Sequence, residues 1–70
     1  MSDADDKIIQ ALRKIVQAQS LLYQACEDLS PVVGMAKEWE LIGKEAVRVK
    51  TMWHKVNARF ESNEEWKLDD

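Results

Sequence analysis

Apolar residues in the first half of the chain recur alternately four and three residues apart, the spacing of one stripe along an α-helix. The stripe predicts a helix over residues 3–28. Its members are Ile8, Leu12, Ile15, Gln19, Leu22, Cys26 and Leu29. Apolar residues widen it on one side, namely Ile9, Val16 and Tyr23, and on the other, namely Ala11, Ala18 and Ala25. A face that wide is typical of a bundle helix with two neighbours.

A second stripe with the same spacing predicts a helix over residues 31–61, followed by an acidic tail over residues 62–70. Its members are Val32, Met35, Trp39, Ile42, Ala46, Val49, Trp53, Val56 and Phe60. Ser30 is a favourable N-cap and Pro31 a favourable first helical residue. They predict a turn of only residues 29–30, which makes the two helices antiparallel neighbours.

The two stripes predict an all-α fold, a single helical-hairpin domain over residues 1–70. A lone hairpin leaves its outer flanks uncovered, so we expect two copies to form a homodimeric four-helix bundle. Gln19, a polar residue in the stripe, either fixes the register of the helices or reaches past the core to solvent. The residues expected in the core and the dimer are Ile8, Leu12, Ile15, Gln19, Leu22, Cys26, Ile42, Val49, Trp53, Val56 and Phe60.

Charge and hydropathy bear on where the protein is found and on which classes of partner it binds. The chain carries a net charge of -3, and phosphate binding depends on Lys and Arg, so general nucleic-acid binding is disfavoured. No apolar run approaches the length that spans a bilayer, and the acidic start is unlike a signal peptide. These features predict a cytoplasmic protein without a membrane partner.

Catalytic chemistry has little support in the sequence. His54 is the only histidine, and no spacing pairs it with a nucleophile, so it is expected to be an exposed surface residue. Cys26, the only cysteine, occupies a core position and is expected to be a buried hydrophobe. We therefore expect no enzyme activity, no catalytic residue, no cofactor and no metal site.

The middle of the second segment is basic, with Lys44, Arg48, Lys50, Lys55 and Arg59. This could be a patch for RNA, DNA or an acidic protein, or a solvated face balanced by nearby glutamates. The solvated face is favoured because these charges are distributed around the helix.

Apolar residues outside the stripe, including Leu41 and Val47, suggest a mixed second face near the turn. It is either a partner-binding surface or a tolerant surface, and Trp39 is either an interface anchor or a core aromatic. The expected partner contacts are Arg13, Trp39, Glu40, Leu41, Lys44 and Val47.

The plan from Ile8 to Phe60 resembles two groups of small proteins. One is the plasmid copy-number regulator Rop, a hairpin that dimerises and binds RNA. The other is the small phage-encoded anti-activators, hairpin dimers that bind host regulators and block quorum sensing, some of which also disable a pilus-assembly ATPase. The second resemblance implies inhibition by occlusion, with Arg13 and Trp39 as candidate contacts. The alternatives are a Rop-like nucleic-acid-binding bundle and a purely structural assembly subunit.

Overall fold

The computed structural model describes residues 2–62 and 64–68 of the chain. It contains helix α1, Asp3–Leu29, and helix α2, Ala36–Phe60, which pack side by side and antiparallel along an extent of 51 Å. The described ranges hold no strand. The predicted all-α hairpin is therefore confirmed. Neither helix carries an apolar stretch of the length that would cross a membrane, as far as the described residues go.

The start of α1 is fixed by its own first residues. The Asp5 backbone N–H donates to the Ser2 hydroxyl oxygen at 3.1 Å, and the Ser2 backbone N–H donates to the Asp5 carboxylate at 3.3 Å. This capping box satisfies two backbone donors that the helix itself leaves free. Asp3, Asp5 and Asp6 also place negative charge at the positive end of the helix dipole.

The predicted start of the second helix at residue 31 is wrong, because α2 begins at Ala36. Ser30 does not cap α2 but ends α1, where its hydroxyl donates to the Glu27 carbonyl oxygen at 3.1 Å. Gly34 then adopts a φ of 92°, which no right-handed helix can contain. The connection is consequently six residues long, 30–35, and Val32 lies exposed in it instead of in the second stripe.

The seam between the helices is narrow. Among the described residues only Ala4, Leu12 and Ala46 are buried, and no large side chain is fully enclosed. Two side chains of α1 donate hydrogen bonds across the seam to α2. The Gln19 amide reaches the Ala46 carbonyl oxygen at 3.3 Å, and the Cys26 thiol reaches the Trp39 carbonyl oxygen at 3.3 Å. These bonds set the register of α1 against α2 within one chain.

The other residues expected in the core are half-buried along this seam, and Leu12 alone of that set is buried. The half-buried members are Ile8, Ile15, Gln19, Leu22, Cys26, Ile42, Val49, Trp53, Val56 and Phe60. The hairpin thus covers only one side of each of these side chains.

Part of the acidic tail folds back beside the open end of the hairpin. The Arg59 guanidinium binds both carboxylate oxygens of Glu64, at 2.8 and 3.2 Å, and lies 5.1 Å from the centre of the Trp66 ring. Trp66 is half-buried near the start of α1, whereas Leu68 is exposed. Residues 69–70 of the predicted tail, and residue 63, lie outside the described residues.

Candidate functional site

A shallow groove with a mainly apolar lining runs along one side of the hairpin near the connection. Both helices contribute to it. The residues that line it are Tyr23, Cys26, Trp39, Glu40, Gly43, Lys44 and Val47. Aromatic, aliphatic and charged side chains of α1 and α2 converge in it.

The register of the seam brings these residues together. The hydrogen bond from the Cys26 thiol to the Trp39 carbonyl oxygen holds α1 and α2 together at this level. Tyr23 lies one turn before Cys26 on α1, and Gly43 lies one turn after Trp39 on α2. Trp39 therefore serves two surfaces, since its side chain is half-buried at the seam and also lines the groove.

The floor of the groove is open at Gly43. A Cβ atom built on Gly43 would meet no atom within 4 Å, so the absence of a side chain there is not required by packing within the hairpin. Glycine in a helix interior costs about 1 kcal/mol against alanine. Without a side chain at Gly43, the α2 backbone is open to close approach from outside the hairpin.

The rim of the groove is charged. Glu40 and Lys44 are exposed and stand one turn apart on α2, and neither forms an ion pair with another described residue. Val47 extends the apolar lining beyond Gly43 and is also exposed. The arrangement offers aromatic and aliphatic contact in the middle and one charge of each sign at the edge, which is the usual anatomy of a protein interface.

Of the six expected partner contacts, the groove unites four, Trp39, Glu40, Lys44 and Val47. Arg13 is exposed on α1 and does not line the groove. Leu41 is also exposed, but six residues from Val47 it lies about 120° away around α2, on the opposite flank. These two residues therefore lie outside the groove, and their role as partner contacts stays a prediction.

Sequence reasoning did not assign Tyr23, Cys26 or Gly43 to this site. Tyr23 belongs to the line Ile9, Val16 and Tyr23 that flanks the first stripe, and seven-residue spacing puts the three on one side of α1. We call the surface formed by Ile9, Val16, Tyr23, Gly43 and Val47 the Tyr23 flank. The seven-residue spacing on α1 could be seen in the sequence. The register of α1 against α2 is needed to place that line beside Gly43 and Val47.

The described residues contain no group of three or more metal-binding side chains. His54 is exposed, and its ring meets the Trp53 ring edge-on with centroids 5.2 Å apart. Cys26 is a half-buried free thiol engaged with the Trp39 carbonyl. The groove thus offers surfaces for recognition and not a set of converging reactive groups.

No family model matches the chain, and no curated protein or solved structure matches it at a significant level.

Proposed function

We propose that this chain is a non-enzymatic, protein-binding modulator, an inhibitor that occludes part of a host regulator such as a transcriptional activator. The groove around Trp39 carries the proposal, because it is the place where anchor-type side chains and an open backbone coincide. The resemblance in plan to phage-encoded anti-activators supports the regulator as a target and adds a pilus-assembly ATPase as a second one. A cytoplasmic location follows from such targets.

The chemistry of the groove favours a helical segment as the bound element. Tyr and Trp are enriched at binding hot spots because they bury a large area with little loss of conformational freedom. A partner helix lying along the groove would place apolar side chains against Trp39 and Val47 and bring its backbone close to Gly43. Glu40 and Lys44 at the rim would then select its direction through charge.

We also propose that the free protein is a homodimeric four-helix bundle. The support is the shallow core, in which the seam leaves nearly every large apolar side chain half-covered. A small domain gains stability mainly by burying apolar surface, and a second copy is the commonest means of covering what one hairpin leaves exposed. The Tyr23 flank suits this role because Ile9, Val16 and Tyr23 continue it along the whole length of α1.

The groove and the flank proposed for the dimer share residues. Tyr23, Gly43 and Val47 belong both to the groove and to the flank proposed for the dimer. A second copy and a target helix would therefore compete for the same surface, so that the inhibitor binds its target as a monomer. Target occupancy should then rise less steeply than the total concentration of the chain, because dimerisation removes a growing fraction of the monomer.

The test uses Val47→Asp, because Val47 is 57% exposed and its replacement leaves the seam intact, unlike that of Trp39. The matched control is Leu21→Asp, at a residue 63% exposed that lies outside the groove. Wild-type and variant proteins are used to capture partners from a nuclease-treated bacterial lysate, with bound proteins quantified by mass spectrometry. We expect a defined protein to be retained by the wild type and Leu21→Asp and lost with Val47→Asp.

The captured protein is then assayed for its own activity with and without the chain. If its activity is unaffected, or if Val47→Asp captures it equally well, the proposal fails. Capture that disappears on nuclease treatment would favour the nucleic-acid-binding alternative instead. Recovery of the chain alone would favour the structural subunit.

A further inference from the structure

The outer side of α2 carries a continuous line of cations. At 3.6 residues per turn, Lys37, Lys44, Arg48 and Lys55 fall within about 40° of one another, and Arg59 extends the line by one turn. We call these five residues the basic stripe; all are exposed. Lys50 lies on another side of the helix. Of the basic residues named from the sequence, four therefore share one side of α2, and Lys50 is the exception.

Three cations of the stripe are unengaged within the described ranges 2–62 and 64–68. Arg48 pairs with Glu45 at 3.3 Å, and Arg59 pairs with Glu64 at 2.8 Å. Lys37, Lys44 and Lys55 have no carboxylate within 4.0 Å among those residues. A line of like charges about 27 Å long, from Lys37 to Lys55 at 1.5 Å per residue, repels itself and is relieved by an anionic partner.

The stripe also has an apolar border that repeats with it. Leu41 lies four residues after Lys37 and three residues before Lys44. Because residues three and four apart are neighbours on a helix, Leu41 has a cation on each side. Eleven residues later, Met52 stands in the same relation to Arg48 and Lys55. Arg48, Thr51, Met52 and Lys55 together line a shallow pocket on this face. The same unit, an exposed apolar side chain between two cations, thus occurs twice.

The chain itself provides one example of what a cation of the stripe binds. At the end of the stripe, Arg59 holds the Glu64 carboxylate with two hydrogen bonds while the Trp66 ring packs against its guanidinium. The bound segment is acidic and aromatic. Carboxylates thus meet the cation, and an apolar group lies beside it.

We propose that the basic stripe is a second docking surface, and that it binds an acidic amphipathic helix of another protein. The carboxylates of that helix pair with Lys37, Lys44, Arg48 and Lys55, and its apolar side chains contact Leu41 and Met52. Nucleic acid fits less well, since a phosphodiester backbone has no apolar groups for Leu41 and Met52 and the stripe has no aromatic side chain on which bases stack. The net charge of -3 also opposes a long polyanion.

The probe is a synthetic helical peptide with glutamates and leucines arranged in the same eleven-residue repeat, and binding is followed by fluorescence anisotropy. The stripe variant combines Lys37→Gln with Lys55→Gln, neither of which lines the groove. The control combines Lys14→Gln with Lys50→Gln, which removes the same charge from exposed positions off the stripe. A scrambled peptide and a short RNA duplex are measured in parallel.

We expect the stripe variant to bind the peptide about fivefold more weakly, from two exposed ion pairs at about 0.5 kcal/mol each. The control should bind like the wild type. Replacing Leu41 and Met52 by serine should also weaken binding, because the apolar side chains of the peptide would lose their contacts. The proposal is overturned if the peptide does not bind, if the scrambled peptide binds equally well, if both charge variants behave alike, or if the RNA duplex binds more tightly.

Discussion

Ala46 is the most deeply buried of the described residues. It is 0% exposed, and the Gln19 side chain of α1 donates to its carbonyl oxygen at 3.3 Å. The Ala46 methyl group is fully enclosed in the narrow seam. The polar Gln19 is tolerated in the stripe because its side-chain amide, which would otherwise be partly buried without a partner, finds an acceptor on the facing helix.

Replacing Ala46 by leucine should separate the helices and lower the free energy of unfolding by about 1–3 kcal/mol, because the added atoms have no space to occupy. Urea denaturation followed by circular dichroism measures the effect. Ala58→Leu is the matched control, since Ala58 is exposed on the same helix and its replacement should change stability little. Equal stability of the two variants would mean that α1 and α2 do not meet closely at Ala46.

At the scale of the elements, the two glycines of the chain have opposite roles. Gly34 lies in the connection with a φ of 92°, where a residue with a side chain is strained, whereas Gly43 lies inside α2 with open space around it. We expect Gly34→Ala to destabilise the hairpin by about 1–2 kcal/mol. Gly43→Ala should stabilise it by about 1 kcal/mol through helix propensity.

Thermal unfolding at low protein concentration measures both glycine variants. The same Gly43→Ala protein should bind partners less well if a helix approaches the α2 backbone there, so gain of stability and loss of binding should occur together. A variant that is more stable and binds equally well would show that Gly43 has no role in the groove.

The sequence predicted the helices well and their connection poorly, for identifiable physical reasons. The stripes repeat over many turns, so their periodicity outweighs any local ambiguity. Ser30 and Pro31 form a plausible helix start, but Ser30 serves equally well as the last residue of α1, where its hydroxyl meets the Glu27 carbonyl. The backbone conformation of Gly34 decided between the two, and a glycine does not reveal its φ from sequence.

At the scale of the whole molecule, few side chains are buried. Three residues are buried among those described, and Val16, 51% exposed, lies in the middle of the Tyr23 flank. If this flank closes a homodimer, each tenfold rise in concentration should add about 1.4 kcal/mol to the unfolding free energy of the dimer.

Val16→Asp should abolish this concentration dependence and give a monomer in sedimentation equilibrium, because a carboxylate would be buried in the dimer without a partner. Met52→Asp is the control, at a residue 53% exposed on the other flank, and should leave the dimer intact. A wild-type protein that sediments as a monomer at all concentrations would refute the dimer itself.

Trp39, Glu40, Lys44 and Val47 could be grouped from the sequence because they lie on α2 within about two turns of one another, and all four line the groove. Tyr23 and Cys26 could not be joined to them, since the pairing of α1 with α2 depends on the connection, which spans residues 30–35 and not 29–30. Leu41 was grouped with them because of its helical spacing from Lys44, but its direction around α2 takes it to the basic stripe.

The positive φ of Gly34 also bears on domain swapping. Were residues 30–35 to straighten, α1 of one chain would pack on α2 of another, and every contact of the seam would form between two molecules. A left-handed backbone at Gly34 turns the chain back on itself and keeps the seam intramolecular. Relaxing that turn would lock two chains together along their full length, and an exchanged pair of this kind would no longer release a monomer to bind a target.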